Sequence, residues 1–197
     1  MKKLTALLCG LLLAALSSTV TAAPGDFKIN KVTVSLVPTP IIQFTGEQRE
    51  SPSRTAQWLE IEVQFQAAPL TTDEATFKYF VQINNAVIGG QLVGSALLVG
   101  EVVHVNVEKG QGLHSVMYIA PRTLARMFPG QPIIVGLITN AAAQIYVKGV
   151  PEAEGYAKGN PNGTWAALPQ TPGLLLNKSE TPFAPLYWDR YEAIKPK

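Results

Sequence analysis

The stretch from Gln57 to Ala67 alternates apolar and polar residues without a break, and it constrains the fold more than any other part of the chain. Its apolar positions are Leu59, Ile61, Val63 and Phe65. A period of two is typical of a β-strand that has one face on a core and the other in water. Burying such side chains contributes roughly 1.5–3 kcal/mol each, whereas ordering the backbone costs roughly 1–2 kcal/mol per residue. This strand therefore needs partner strands and a second apolar layer, which predicts a sheet-on-sheet protein.

Other short segments with strand-like patterns follow along the chain, separated by turn residues. In the first of them a slip of phase around Asn30 and Lys31 predicts a β-bulge. The number and spacing of the segments predict an all-β fold, an antiparallel Greek-key β-sandwich of seven to nine strands. The predicted strands are 27–37 with a continuation at 41–44, then 57–67, 77–83, 91–99, 102–107, 113–119, 133–139 and 143–148.

Turn and helix signals predict the connections between these strands. Residues 69–74 predict a turn. Lys109-Gly110-Gln111-Gly112 predicts a hairpin loop between two of the strands. Residues 121–128 predict one short helix, because a proline opens the segment and Pro129-Gly130 follows it.

The N-terminal segment, residues 1–22, has the pattern of a secretory signal peptide. Lys2 and Lys3 precede an apolar run from Leu4 to Leu16, and small residues follow, so we expect cleavage after Ala22. An uncleaved anchor is the alternative, but the run is shorter than the roughly 20 apolar residues that a spanning helix needs. We therefore expect an exported protein of the periplasm or cell surface with no membrane span after leader cleavage.

Removal of this leader changes the composition of the remaining chain. The only cysteine, Cys9, leaves with it, so no disulfide is expected. The whole chain has 16 basic and 14 acidic residues, and the loss of Lys2 and Lys3 makes these numbers equal. A neutral protein has no electrostatic footprint for nucleic acid, which predicts no nucleic-acid partner.

The composition changes again after Gly149, which divides the mature chain into a sandwich domain, residues 23–149, and a C-terminal strap, residues 150–197. The strap is rich in proline but also in aromatic residues, which a disordered tail lacks. We expect it to lie extended on the sandwich, with a short strand at 173–176. Its rings either cover an apolar edge of the domain or dock a partner. The candidate docking residues are Trp165, Phe183, Tyr187, Trp188 and Tyr191.

The sequence gives no argument for catalysis. His104 and His114 would not pair across the predicted hairpin, and zinc needs three or four convergent ligands. Glu60 and Glu62 share a strand face at a spacing of roughly 7 Å, which overlaps that of an inverting glycosidase pair. That face is expected to be solvated, however, with nothing to raise either pKa. We therefore predict no catalytic residue, no metal and no cofactor.

The segment Glu180-Thr181-Pro182-Phe183-Ala184-Pro185-Leu186-Tyr187-Trp188-Asp189-Arg190-Tyr191 resembles small secreted proteins of verrucomicrobial bacteria that are associated with type IV pilus-like machinery. This resemblance implies an immunoglobulin-like fold and a cell-envelope role in pilus-like assembly or adhesion. A conventional pilin keeps a long apolar helix after leader cleavage. The short run from Leu4 to Leu16 therefore argues against a shaft-forming subunit.

Two functions remain as hypotheses. The first is a non-enzymatic envelope interaction protein that binds a pilus-assembly or other envelope protein through a sheet edge or the aromatic strap. The alternative is a glycan-binding module that presents the flat rings of Trp165, Trp188 or Tyr191 to sugars.

Overall fold

The computed structural model describes residues 25–41, 56–160 and 164–196. The predicted leader and most of the predicted 41–44 strand lie outside these residues. Seven strands and one α-helix are present in the described part: β1 Phe27–Pro38, β2 Gln57–Ile88, β3 Gln91–Ile119, α1 Pro121–Met127, β4 Ile138–Val147, β5 Val150–Tyr156, β6 Gln170–Pro172 and β7 Leu176–Asn177. None of the described helices is long and apolar enough to cross a membrane.

The strands β2 and β3 are long and bent, so that one hydrogen-bonded sheet doubles over on itself. Residues 57–67 of β2 pair with β1 on one side and with residues 110–119 of β3 on the other. Residues 71–88 of β2 pair with residues 91–108 of β3, and β4 lies on the other side of this second half. The register of β2 against β3 shifts at the junction of the two halves, where the strands bend. Each half thus supplies one layer of a sandwich.

The core lies between these two layers. Phe65 and Phe77, from opposite sides of the bend, meet edge to face with ring centroids 4.8 Å apart. The alternation that defines 57–67 continues in the second half of β2, so both halves direct apolar side chains into one cluster. Its members from β2 include Leu59, Ile61, Val63, Phe65, Phe77, Tyr79, Val81 and Ile83, all buried. The prediction of an all-β, mainly antiparallel sandwich is confirmed.

The predicted hairpin at residues 109–112 is wrong, because β3 runs through this segment without turning. Gly110 lies opposite Ala67 and Gln111 opposite Gln66, and the register then shifts to pair Leu113 with Phe65. Gly112 has a φ of 98°, a backbone conformation that favours glycine. The glycines therefore serve a bulge where both strands bend, which sequence alone does not distinguish from a turn.

Other local predictions have mixed outcomes. The bulge near Asn30 is confirmed by a register shift between Ile29 and Lys31, and the helix at 121–128 is confirmed apart from its last residue. The turn at 69–74 is wrong, since β2 continues through it. Of the strand predicted at 133–139, only Ile138 and Thr139 belong to a strand, at the start of β4 after a 3₁₀ turn. Of the strand predicted at 173–176, only Leu176 does, as the first residue of β7, and β6 ends just before this segment.

The chain after Gly149 pairs with the sheet at several places. The strand β5 extends the second layer beside β4. Along the outer edge of β3, β6 pairs in parallel at 97–99 and β7 pairs at 117–118. Backbone hydrogen bonds from the C-terminal tail lie between these strands: Val105 N–H to Ala193 O (3.0 Å), Lys195 N–H to Val103 O (2.8 Å) and Glu192 N–H to His114 O (3.1 Å).

Candidate functional site

The C-terminal strap builds a second apolar cluster on the outer face of the first layer. Phe183 stacks on Tyr118 of β3, with centroids 4.5 Å apart and planes 6° apart. Trp58 of β2 meets Phe183 nearly perpendicularly at 5.8 Å. Trp58, Tyr118 and Phe183 are all buried, and Leu186 and Tyr191 pack around them. Phe183 is thus the anchor that attaches the strap to the sandwich.

Beside this cluster, Glu62 is the centre of an ionic and hydrogen-bonded group. Its carboxylate accepts hydrogen bonds from Arg190 Nη2 at 2.6 Å, His114 Nδ1 at 2.7 Å and the Tyr191 hydroxyl at 3.2 Å. The Glu62 side chain is only 15% exposed. The prediction that this strand face is solvated is therefore wrong, because the strap covers it.

Glu60, two residues before Glu62, is also partly buried on this strand face. Its carboxylate accepts a hydrogen bond from the Ser35 hydroxyl at 3.2 Å. Burial raises the pKa of Glu60, and the nearby charge of Glu62 raises it further, while the Ser35 hydrogen bond opposes the rise. Two neighbouring carboxyl groups, one of them with a raised pKa, resemble an acid–base pair. Since three protein donors engage Glu62, however, the pair is an anchor for the strap.

A turn between β7 and the exposed rings positions a buried lysine. Glu180 accepts a hydrogen bond from the backbone N–H of Asn177, which closes a 3₁₀ turn at Lys178–Glu180. The Lys178 ammonium donates to the carbonyl of Ala184 at 3.0 Å. It also lies 5.3 Å from the ring centroid of Trp188, within the range of a cation–π contact. Burial lowers the pKa of Lys178.

Tyr187 and Trp188 project from this support into solvent. Trp188 is 76% exposed and Tyr187 is 58% exposed. The indole N–H of Trp188 donates to the carbonyl of Pro185 at 3.1 Å, which holds the ring in place. Tyr187 has a φ of 57°, an uncommon conformation for a non-glycine residue. Its ring meets Tyr191 edge to face at 6.3 Å.

The five candidate docking residues therefore occupy three environments. Phe183 and Tyr191 belong to the outer cluster, Tyr187 and Trp188 are exposed next to it, and Trp165 lies elsewhere. Trp165 is buried on the other layer, where it packs with Leu97, Ala142, Phe80 and Tyr156. The structure brings four of the candidates together and separates the fifth. Sequence reasoning missed Lys178, for which the pattern of residues gave no signal.

A third group of polar residues connects the core to the tail. The Nδ1 atom of His104 lies 3.1 Å from the carbonyl of Glu192, so it must donate and the other ring nitrogen must accept. That acceptor, Nε2, lies 2.7 Å from the Ser115 hydroxyl, which in turn accepts from the Tyr79 hydroxyl at 2.7 Å. Burial lowers the pKa of His104 to about 4. A neutral, fully bonded imidazole thus fixes the tail to β3.

The predicted hairpin would place each histidine opposite a residue of β3, but in the structure both lie opposite residues of β2. His104 lies opposite Ala75 and His114 lies opposite Gln64, because β3 pairs with β2 along its whole length. Within the described ranges, no three His, Cys, Asp or Glu side chains are arranged to hold a metal ion.

Comparison with known proteins gives a family and a fold. No protein with a curated description matches the chain. Among solved structures, a protein from Akkermansia muciniphila superimposes with a TM-score of 0.73 at 22% identity, covering 87% of this chain and 93% of that one. That likeness shows the shared fold. A family model matches residues 18–197. Since the match spans nearly the whole chain, this protein belongs to the family that the model describes.

Proposed function

We propose that this protein is a non-enzymatic interaction protein of the cell envelope, which docks a partner protein of a pilus-like or adhesion assembly through Tyr187 and Trp188. The observation that carries the proposal is a large aromatic ring that is exposed and yet held in place. Trp188 leaves most of its surface in water while its N–H bonds to Pro185 and Lys178 lies over its ring. Exposed tryptophan and tyrosine are typical anchors of protein interfaces.

Preorganisation strengthens this interpretation. A ring that is already ordered loses little conformational entropy on binding, so more of its burial contributes to affinity. The support below the ring is itself fixed by Phe183 in the outer cluster and by the Glu62–Arg190 pair. The envelope setting rests on the leader pattern of residues 1–22, and the pilus-like setting on the resemblance of residues 180–191.

A protein partner fits the geometry better than a glycan. Tyr187 and Tyr191 are inclined at 79°, so they share no common plane across which a sugar chain can lie. Trp165, which the glycan hypothesis also uses, is buried in a different cluster. Lys178 lies over one face of the Trp188 ring, so this site offers one free ring face instead of a row of them.

The test uses a photoreactive residue placed next to the candidate site in cells that produce the protein. Cross-linked envelope proteins are identified by mass spectrometry, and the affinity of the purified pair is then measured. We expect Trp188→Ala to weaken binding by at least about tenfold, as truncation of an interface anchor does. The matched control is Leu70→Ala, since Leu70 is 81% exposed on the β2 bend.

Equal binding by the Trp188→Ala and wild-type proteins would contradict the docking proposal. Titration of both proteins with an oligosaccharide panel, followed by tryptophan fluorescence, distinguishes the alternative. A saturable response that Trp188→Ala abolishes would replace the protein partner by a glycan.

A further inference from the structure

The tip of the β2–β3 hairpin is uncharged and partly apolar. No charged residue and no proline stand between Lys78 and Glu101. Leu92, near the tip, is 74% exposed, and Val87 and Ile88 are half-buried. An uncharged apolar strand at the edge of a sheet is a template for pairing with another strand.

The tip also extends beyond the strands that flank it. On the β2 side, pairing with β4 ends at Ile83. On the β3 side, pairing with β6 begins at Leu97, which leaves residues 91–96 as the strand edge next to the Gly89-Gly90 turn. Asn85 on the β2 side has a left-handed φ of 52°, whereas none of residues 91–96 has a positive φ. The β3 side is therefore the more regular edge.

Two other sheet edges in the described ranges, those of β1 and of the rest of β3, are protected. The edge strand β1 carries Lys28, Lys31, a bulge between Ile29 and Lys31, and Pro38. Lysines, bulges and proline are the usual means by which proteins prevent edge pairing. The rest of the outer edge of β3 is covered by β6, β7 and the C-terminal tail.

Gly94, in the middle of the exposed edge, gives a second and independent indication. A Cβ atom at this position would meet nothing within 4 Å, and the residue does not have a positive φ. The fold of the single chain therefore does not require glycine here. Glycine within a strand often marks a place where another backbone approaches closely.

We propose that residues 91–96 form an antiparallel edge contact with the same residues of a second copy of this chain, about a two-fold axis at Val93. A two-fold contact places a surface against itself, so the surface must be self-complementary. A charge-free strand meets this condition because it does not repel its copy. Residues 84–96 contain no aromatic or basic residue, which are the residues that anchor proteins at lipid surfaces.

The contact is short, so the dimer is weak and depends on concentration. Sedimentation equilibrium of the purified protein, from about 10 μM to about 1 mM, measures it. We expect the mass to rise toward twice that of the monomer. Leu92→Lys, which opposes two positive charges across the axis, is expected to weaken association at least tenfold. Leu70→Lys makes the same change at another exposed leucine and is expected to leave association unchanged.

A cross-link tests the geometry directly. On a Cys9→Ser background the chain has no other thiol, so Val93→Cys, at the axis, introduces the only one. We expect a disulfide-linked dimer on mild oxidation with Val93→Cys, whose copies face each other across the axis, and not with Leu70→Cys. A mass that stays monomeric throughout, or a dimer that Leu92→Lys does not weaken more than Leu70→Lys does, overturns the proposal. Trp188→Ala is expected to associate as the wild type does, which separates this contact from the docking site.

Discussion

The two faces of the first half of β2 are both covered, but by different parts of the chain and with different chemistry. The inner face packs against the second half of the same sheet, and its members such as Ile61 and Phe65 are purely apolar. The outer face is covered by the strap, through stacked rings around Phe183 and through the Glu62–Arg190 pair. The inner contact is needed for the sandwich to exist, whereas the outer contact orders a segment that carries the exposed rings.

Burial on the two faces therefore has separate consequences for stability. Loss of the inner core exposes both layers and must unfold the protein as a unit. Loss of the outer cluster releases a segment that crosses few strands, so opening is expected to be local, as for weakly held parts of many proteins. Tyr187 and Trp188 lie on this segment, so a change in the outer cluster is expected to alter their positions before it unfolds the sandwich.

The largest effect is expected in the inner core. Phe77→Ala removes a fully buried ring that contacts Phe65 at the bend. The lost burial and the remaining cavity are expected to lower the free energy of unfolding by about 3–5 kcal/mol. Chemical denaturation followed by circular dichroism measures this change. A loss below about 1 kcal/mol would show that the inner face is not the main core.

The second prediction concerns the imidazole that connects the core to the tail. The pKa of His104 is about 4 in the folded protein, against 6.5 as its ordinary value, so the unfolded chain binds more protons between these values. Stability from this group is complete above pH 6.5 and decreases as the pH falls toward 4. The decrease is at most roughly 3 kcal/mol.

The measurement is the free energy of unfolding at several pH values for the wild type and for His104→Gln. The difference between the two proteins removes the titration of other groups, including Glu60, from the comparison. We expect that difference to shrink as the pH falls from 7 to 4, because only the wild type loses stability through His104. Parallel curves would contradict the assignment of the slope to this residue.

The third prediction separates the two faces. Phe183→Ala is expected to release residues 181–195 of the strap while the sandwich stays folded, because Phe183 stacks on Tyr118 outside the inner core. Hydrogen exchange is expected to rise in residues 181–195 and to stay low in the paired half of β2. The loss of global stability is expected to be about 1–2 kcal/mol, smaller than for Phe77→Ala. Equal protection in both proteins would contradict local release.

The smallest effect is expected at the ionic anchor. Glu62→Gln removes the charge that Arg190 and His114 engage, and Arg190 is half exposed, so solvent screens the pair. We expect a loss of about 1 kcal/mol in the free energy of unfolding and faster hydrogen exchange around residue 190. Glu74→Gln is the matched control, because its ion pair with Lys195 is exposed on both sides. A larger loss of stability in Glu74→Gln than in Glu62→Gln would show that Glu62 is not the ionic anchor of the strap.

The layer architecture follows from local patterns in the amino-acid sequence. The alternation at 57–67 and 77–83 predicts strands with one core face, and it did so correctly because burial depends on the side-chain period, which is local. The helix at 121–128 was also predictable, since proline and glycine act on the backbone of their own neighbourhood. The aromatic strap was predicted to lie on the domain because its rings are too many for a disordered tail.

Two features depend on tertiary contacts that local sequence does not show. One is the bend that replaces the predicted turn, and the other is the segment that covers the polar strand face. Gly110 and Gly112 fit a hairpin as well as a bulge, and the choice depends on β2 bending at the same level. Glu60 and Glu62 have the alternation of a solvated face, yet a partner more than a hundred residues away, Arg190, covers Glu62. Trp165 is buried and Trp188 is exposed for the same reason, because the burial of a ring depends on which distant strand it contacts.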